Sequence, residues 1–521
     1  MIARQQSDMP FKNEKPIVLV KIEQESNTDH PLALLFLVNS LRKAHFHVKI
    51  LLERSQNFDI EDFVQRILDQ DPLFVGFSSI TGRQTYDSAL VCRALKKKCP
   101  ELITVWGGIH TTLVPEQTLK QDYIDFIIKH EGEETIVEFS EAFLTVRKDF
   151  NKVLGLGYKE NGKAIINKDR PFINLPDYEL EEGDWEYIDV EKSIYTDPTT
   201  GDRIFDMQTS RGCPFNCGFC YNTRFTKRKI RFFAPDQVER MGKLLHDKYG
   251  VNAVLYTDDN IYFKYDRMCD IVIRLRSVGI RSRYLQTRIE DSSEDSLRDM
   301  FSYGVSRLFF GIETGSPSTK KLINKRISND LIKEKVRLIS KYPDMGITCA
   351  MIIGFPTETE KSIDETIKLG VELTRIHPNT LVTFQTYVPF PGTDLYQLAV
   401  GGGYTIPRSP LEYRDLDTMD GDIDIKWASY KGLKGTALAL KLNLMNKYAC
   451  LLTHGKGTSW IRTFGKCFLA YFARFRLTHD YYAFPFEISI LARYNRYIQH
   501  VYKDKGGADF LKGRYQKKVK E

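Results

Sequence analysis

The sequence predicts an α/β protein built from two successive parallel sheets, followed by a small helical region. Two observations carry that reading. Residues 16–108 alternate apolar runs of strand length (PIVLVKI, FHVKILLE, LFVGFSS, LITVWGG) with amphipathic segments of helix length (LALLFLVNSLRKA, IEDFVQRILDQ, YDSALVCRALKKKC). This is the pattern of a doubly wound, Rossmann-like parallel sheet with helices on both faces. From Ile204 the alternation resumes with six candidate strands, IFDMQTS, AVLYTDD, RSRYLQTR, RLFFGIE, CAMIIGF and TFQTYV, which suit a partial (β/α)6 barrel. Residues 1–150 are therefore expected to form the first domain, 151–200 a Pro-, Asp- and Glu-rich connector, 201–398 the partial barrel and 399–521 a small C-terminal helical domain. In both sheets the chemistry belongs on the loops that follow the strands.

A chain of 521 residues that is 42% hydrophobic can bury two or three cores, which excludes a disordered scaffold. Its start, MIARQQSDMPFKNEKPIVLV, is charged up to residue 17, and no apolar run reaches the ~18 residues of a membrane span. A soluble or at most peripheral, cytoplasmic protein is expected. Its nine cysteines then point to metal or core roles rather than to disulfides. The net charge of +7 is uneven: residues 426–521 carry 19 Lys and Arg against 5 Asp and Glu, a balance of +14, which leaves −7 for residues 1–425. In that basic end Trp460, Phe464, Phe468, Tyr471, Phe472 and Phe475 recur at helical spacing among Arg462, Lys466, Arg474 and Arg476. Such a stripe is either a core face with solvated charges or a membrane-surface contact that admits a lipid.

The segment QTSRGCPFNCGFCYN sets Cys213, Cys217 and Cys220 in a CxxxCxxC pattern directly after a strand. A cubane of four irons needs four ligands, and soft thiolates are what iron–sulfur clusters prefer. Three cysteines leave one iron open, where the amino and carboxylate groups of an amino acid can chelate. Phe219, just before the last cysteine, is placed to shield one face of the cluster. The same cysteines also admit a zinc site without a visible fourth ligand, although zinc sites usually show paired CxxC knuckles. The remaining cysteines (Cys92, Cys99, Cys269, Cys349, Cys450 and Cys467) are isolated and read as small core residues.

Over most of residues 200–397 the chain resembles the radical S-adenosylmethionine superfamily, whose signature is this three-cysteine motif. The resemblance implies a [4Fe–4S] cluster with Cys213, Cys217 and Cys220 as its metal ligands, and S-adenosylmethionine on the open iron. YTDDNIYF looks like the family's second-strand motif, in which Asp258 or Asp259 would hold the methionine amino group. Glu313, Gly315 and Ser316 in LFFGIETGSP resemble the motif that contacts ribose and carboxylate. Gly354 in MIIGFPTET resembles the stretch that flanks adenine, and VPFPGTDLY the closing strand. Arg288 stands where the family often has an arginine near the cofactor carboxylate, and an ordinary ion pair would suit the position equally.

In the first domain three strand ends, VGFSSITGRQTY, VWGGIHTTLVPEQ and IIKHEGEET, bring glycines and small hydroxyl residues together. Glycine lets a backbone approach a large flat ligand, and Ser79, Thr81, Thr111 and Thr112 can bond its amide edges. A plain nucleotide fits this description too, but the dinucleotide GxGxxG is missing. These segments resemble the cobalamin-binding domain of one radical S-adenosylmethionine subfamily, which implies cobalamin contacts from Ser79, Thr81, Gly107, Gly108, His110, Thr111, Glu131 and Gly132. Asp29 and His30 are adjacent with no glycine following, so the DxHxxG of histidine-ligated cobalamin is lacking and no histidine is expected below the cobalt. For His110, in the GGIH loop, a ring satisfied by backbone is the favoured reading and an approach to the cofactor the other.

Together the resemblances imply an enzyme that makes a 5′-deoxyadenosyl radical and methylates an unactivated carbon of a small molecule or lipid. An electron donor such as flavodoxin or ferredoxin is its expected partner, and nucleic acid is not. Relatives of the same layout close rings without methyl transfer, which is the main alternative. An RNA methylthiotransferase would show a second cysteine cluster in the first domain and a terminal β-barrel, and a cobalamin sensor would leave the three cysteines without purpose.

Overall fold

A computed structural model describes residues 10–23, 32–55, 59–198, 200–414 and Leu416, together with Tyr471, Phe475 and Arg476. The C-terminal domain expected over 399–521 lies outside these residues beyond that point, as do Asp29 and His30. β1 (Ile17–Glu23), β2 (Val48–Arg54), β3 (Phe74–Ser78), β4 (Thr104–Gly107) and β5 (Phe126–Ile128) pair in parallel in the order β2-β1-β3-β4-β5. β1 is buried along almost its whole length, as its near-continuous apolar sequence requires of a strand covered on both faces. The chain steps outward from β1 to β2 and returns to β3 on the other side, so the crevice beyond these strand ends is the switch point where α/β sheets bind ligands.

This sheet does not stop at residue 150. β6 (Leu156–Glu160) and β7 (Lys163–Ile166) add an antiparallel hairpin to β5, turned by Asn161 and Gly162 at φ 51° and 76°. That left-handed pair is what a two-residue hairpin requires. Part of the expected connector is therefore sheet, and the Asn-Gly turn was its signal.

The second sheet begins with β8 (Ile194–Thr196), antiparallel to β9 (Arg203–Met207). β10 (Ser210–Arg211) and β11 (Arg231–Phe232) form a separate two-stranded ribbon. β12 (Ala253–Tyr256), β13 (Arg281–Thr287), β14 (Arg307–Glu313), β15 (Gly346–Ile353) and β16 (Thr380–Thr386) then follow β9 in sequence order, all parallel. The six expected strands are present, curled into a half-barrel, with β8 added at one edge. Three of the intervening helices start on side-chain caps, at Ser293, Ser328 and Thr359, and Thr359 and Ser362 bond each other's backbone N–H reciprocally.

The first sheet keeps a core on each face, and one of its helices also enters the core of the barrel. Leu35 and Phe36 of the helix Leu32–Lys43 belong to the buried cluster that contains Phe205, Met207 and Phe233 of the barrel; burying such side chains contributes about 2 kcal/mol each. The same helix reaches the connector through Arg42 and Asn39, which donate to the Asp184 carboxylate at 2.8 and 2.6 Å. Among the described residues no helix is long and apolar enough to cross a membrane.

Candidate active site

The three cysteines lie on the loop between β10 and the short helix Asn222–Phe225. Bonds to other elements shape this loop. Gly212, at φ 89°, sets its backbone against Lys229, and a Cβ there would overlap the Lys229 carbonyl oxygen, so only glycine fits. Asp259 spans both ends, accepting from Gly212 N at 3.1 Å and Asn222 Nδ2 at 2.6 Å. The apex is pinned where Gly218 N donates to the Ile323 carbonyl (3.0 Å), Leu395 N donates to the Gly218 carbonyl (3.1 Å) and Asn324 Nδ2 donates to the Asn216 carbonyl (2.8 Å).

The three sulfurs are within electrostatic reach of one another. Burial pushes the Cys213 thiol up to about 11, the Cys220 thiol up to about 12, and Cys217 upward as well. Their thiolates, the ligand form, are thus favoured only where a metal's charge offsets the lost hydration. Among the described residues no three His, Cys, Asp or Glu side chains converge as around a single ion. Three soft donors spread along one loop suit separate irons of one cluster. The Phe219 ring lies 5.6 Å from that of Phe355, which lies 5.3 Å from that of Tyr387, so the last cysteine is backed by an aromatic wall.

The strand-end residues divide into two groups. Asp258 accepts from Thr209 N at 3.2 and 3.1 Å, from Thr209 Oγ1 at 2.8 Å and from Ser210 Oγ, and it is 1% exposed. Burial raises its carboxyl to about 6. It fastens β12 to the cluster ribbon and is not free to hold a methionine amino group. Gly315 is likewise engaged within the fold and not turned to a ribose or carboxylate: a Cβ would lie 2.5 Å from the Glu365 carbonyl oxygen, its N–H donates to Thr366 Oγ1 and its carbonyl accepts from Asn329. It is a packing residue beneath the helix Glu360–Ile376. Ser316, 1% exposed, is tied to Thr314 and Ser318 beside it. In Gly354 the left-handed backbone (φ 85°) aims its N–H at Glu358 Oε2, 2.7 Å away, which also accepts from Phe355 N.

The second group keeps polar groups near the cluster. The Arg288 guanidinium stacks 3.9 Å from the centroid of Phe215, between Cys213 and Cys217 in sequence, and donates to Glu290 Oε1, while the buried Glu290 Oε2 has no partner. Glu313, at φ 66°, accepts from Lys325 at 3.0 Å. Asn260 is 2% exposed with neither side-chain amide atom bonded. Glu290, Lys325 and Asn260 were not singled out from sequence; Asn260 and Glu290 sit beside residues that were, but a single sequence does not show which strand-end polar group is already occupied.

In the N-terminal crevice, Gly108 (φ 99°) lies so close to Ser79 that a Cβ would stand 2.5 Å from its carbonyl oxygen. Ser79 N donates to the carbonyl of Gly107, at the end of β4, and the Ser79 carbonyl accepts from His110 N. His110 is fully buried; burial lowers its pKa to about 3, Thr81 Oγ1 lies 3.2 Å from Nδ1, and Nε2 has no partner. The ring is therefore not satisfied by backbone. Thr111 gives its hydroxyl proton to the carbonyls of Gly108 and Ile128, so that proton is not free to be donated to an amide edge. Gly132 begins the helix Glu133–Leu144. A cradle of close backbone with one orphaned imidazole nitrogen fits a large flat cofactor; the hydroxyls serve the cradle itself.

Glu131 departs most from expectation. Its carboxylate accepts from Arg211 Nη1 (3.1 Å), Arg231 Nη1 (2.6 Å) and Ile173 N (3.2 Å), and Arg211 also reaches Glu133 at 2.6 Å. Arg211 and Arg231 are the two strands' residues on either side of the cluster loop, so the loop after β5 clamps the cluster ribbon instead of pointing into the crevice.

Two sheets, one ending in a three-cysteine loop and the other in a glycine-lined crevice, define a class. Residues 207–370 match the Radical SAM superfamily and residues 20–140 the B12 binding domain. The chain belongs to the radical S-adenosylmethionine enzymes that carry a cobalamin-binding domain, and its cofactors are a [4Fe–4S] cluster, S-adenosylmethionine and cobalamin. It is 29% identical over 394 residues to an uncharacterized methyltransferase of Pyrococcus horikoshii, covering 75% of this chain and 83% of the relative. It is 27% identical over 379 residues to an anaerobic magnesium-protoporphyrin IX monomethyl ester cyclase of Rubrivivax gelatinosus, covering 70% of this chain and 66% of that one. Its fold is similar to that of the radical S-adenosylmethionine methyltransferase TsrM from Kitasatospora setae, solved with cobalamin and a [4Fe–4S] cluster bound, with a TM-score of 0.64 at 14% identity over 90% of this chain and 100% of TsrM.

Proposed function

We propose that the enzyme methylates an unactivated carbon of a small molecule or lipid. When bound, the cluster with S-adenosylmethionine supplies a radical able to take hydrogen from carbon, and cobalamin supplies a methyl group. The observation that carries the reading is the Glu131 clamp, which joins the corrin-side loop to both strands of the ribbon that carries the cluster loop. A reaction that draws on both cofactors needs them in fixed register, because a reactive carbon radical is quenched by whatever it meets first. Cys213, Cys217 and Cys220 would hold three irons. Asp259 keeps their loop closed, and Phe219, Phe355 and Tyr387 exclude water on one side. Arg288, Glu290 and Glu313 with Lys325 would receive the zwitterionic end of S-adenosylmethionine. The methyltransferase name of the Pyrococcus relative supports the outcome.

The test is anaerobic reconstitution followed by turnover with methyl-labelled S-adenosylmethionine. Label is expected in the extracted corrin and in the product, together with 5′-deoxyadenosine. Replacing Cys217 with Ala should abolish the 5′-deoxyadenosine; its persistence would contradict the cluster assignment. An unlabelled product that had closed a ring would overturn methyl transfer and favour the reaction for which the Rubrivivax relative is named.

A further inference from the structure

The segment Arg224–Arg231, RFTKRKIR, places five cations and no carboxylate in eight residues, within a part of the chain whose balance is −7. Arg224, Lys227, Arg228 and Lys229 are all exposed. The run is not an ordinary solvated face, because it continues from the short helix that ends the cluster loop and packs back against that loop. Arg228 Nε donates to the Pro214 carbonyl at 3.3 Å, and the Lys229 carbonyl is the atom against which Gly212 packs. The residues on either side of Cys213 thus carry the basic turn directly. Lys227 and Arg228 hold consecutive left-handed conformations, φ 50° and 61°, which cost about 1 kcal/mol or more each in residues with a Cβ. Glycine or asparagine would make the same turn with less strain, so geometry alone does not explain two cations there. Asp169 touches the run, but it lies between Lys129 and Lys227 and leaves a positive excess.

We propose that the Lys227–Lys229 turn is the docking face for the enzyme's one-electron donor, a small acidic carrier of the flavodoxin or ferredoxin kind. The step moves one electron: the carrier is oxidised, the cluster is reduced, and no bond or proton changes hands. Electron transfer weakens steeply with distance, and this is a surface whose backbone touches residues next to a cluster ligand. Positive charge there would draw in and orient an acidic partner. The segment from residue 426 onward, itself at +14, offers no charge match to this patch. The proposal rests on the radical class of the enzyme and not on methyl transfer.

The test compares the reconstituted holoenzyme with Lys227→Glu/Lys229→Glu, which leaves Arg228 on Pro214. Binding of oxidised flavodoxin, and separately of a [2Fe–2S] ferredoxin, is measured by titration at low and high salt. Substrate-independent 5′-deoxyadenosine formation is measured with reduced flavodoxin and with dithionite. Charge reversal should weaken carrier binding and flavodoxin-driven turnover at least about 10-fold at low salt and remove their salt dependence, with the dithionite-driven rate within about 2-fold of wild type. Unchanged carrier binding would overturn the proposal, and so would an equal loss of the dithionite-driven rate. The binding arm stands whether or not the wild-type enzyme cleaves S-adenosylmethionine, so a failure of the radical reading is seen separately.

Discussion

Glu131→Ala is the sharpest probe of how the two cofactor loops are held together. The Glu131, Arg211 and Arg231 side chains are 8%, 14% and 17% exposed, so removing the carboxylate leaves two largely buried cations short of a partner. Breaking a buried ion pair from one side typically costs about 3–5 kcal/mol. Here Arg211 keeps Glu133 and Arg231 keeps the Ile173 carbonyl, which lowers the expectation to about 2–4 kcal/mol. The loss is local, and unfolding of a two-sheet metalloprotein is not a two-state event, so hydrogen exchange read by mass is the suitable assay. Exchange in segment 206–233 and in the loop 129–134 should accelerate together, by roughly 30- to 700-fold. Burial opposes the charge on Glu131, but the two guanidiniums outweigh it and hold its pKa below the usual carboxylate value. Its contribution is therefore complete above the ordinary carboxylate range and is lost as the pH falls through the depressed value. Unchanged exchange in 206–233, or acceleration confined to 129–134, would refute the clamp.

Two glycines should separate the loading of the two cofactors. Gly212→Ala drives a Cβ into the Lys229 carbonyl and should cost most of the bound iron while leaving corrin content near wild type; Gly108→Ala, pressed on the Ser79 carbonyl, should do the reverse. Iron and corrin analysis of the purified proteins checks both, and parallel losses would mean that neither glycine is specific to its loop. His110, with its pKa lowered to about 3 by burial, is kept neutral in the folded protein. Its stabilisation is present above about pH 6.5 and falls at about 1.4 kcal/mol per pH unit below that, towards pH 3. Exchange-derived stability of the first sheet in His110→Phe should thus be flatter between pH 6.5 and 5 than in wild type, and an unchanged slope would contradict the buried neutral ring.

What the sequence revealed was periodic or clustered. Parallel strands buried on both faces read as continuous apolar runs, so β1, β3, β14 and β15 stood out, and the three-cysteine spacing named its chemistry without help from the fold. The residues misread were single carboxylates and hydroxyls at strand ends. A strand end that faces a ligand and one that ties two strands carry the same residue types, and only the fold shows which donors stand opposite. Asp258 meets Thr209 and Ser210, Glu131 meets two arginines 80 and 100 residues away, and Thr111 turns back to its own loop. The hairpin β6–β7 was missed for another reason: its strands are too short for alternation to register, and only the Asn-Gly turn announces them.

The same accounting locates the chemistry. Along the mouth of the half-barrel, Asp258 and Asp259 are filled by donors from the cluster ribbon and loop, and Gly315 and Ser316 are engaged by neighbouring helices and turns. Buried polar groups without partners are costly and so are rare in a folded chain. Near the two loops, unfilled capacity lies instead at Glu290 Oε2, at both amide atoms of Asn260 and, across the domain boundary, at His110 Nε2. Asn260 adjoins Asp259, which closes the cluster loop. Glu290 bonds Arg288 on Phe215 of that loop, and His110 lies in the glycine-lined crevice. These four atoms stand beside the two cofactor loops, where a zwitterionic sulfonium compound and an amide-edged macrocycle would supply partners.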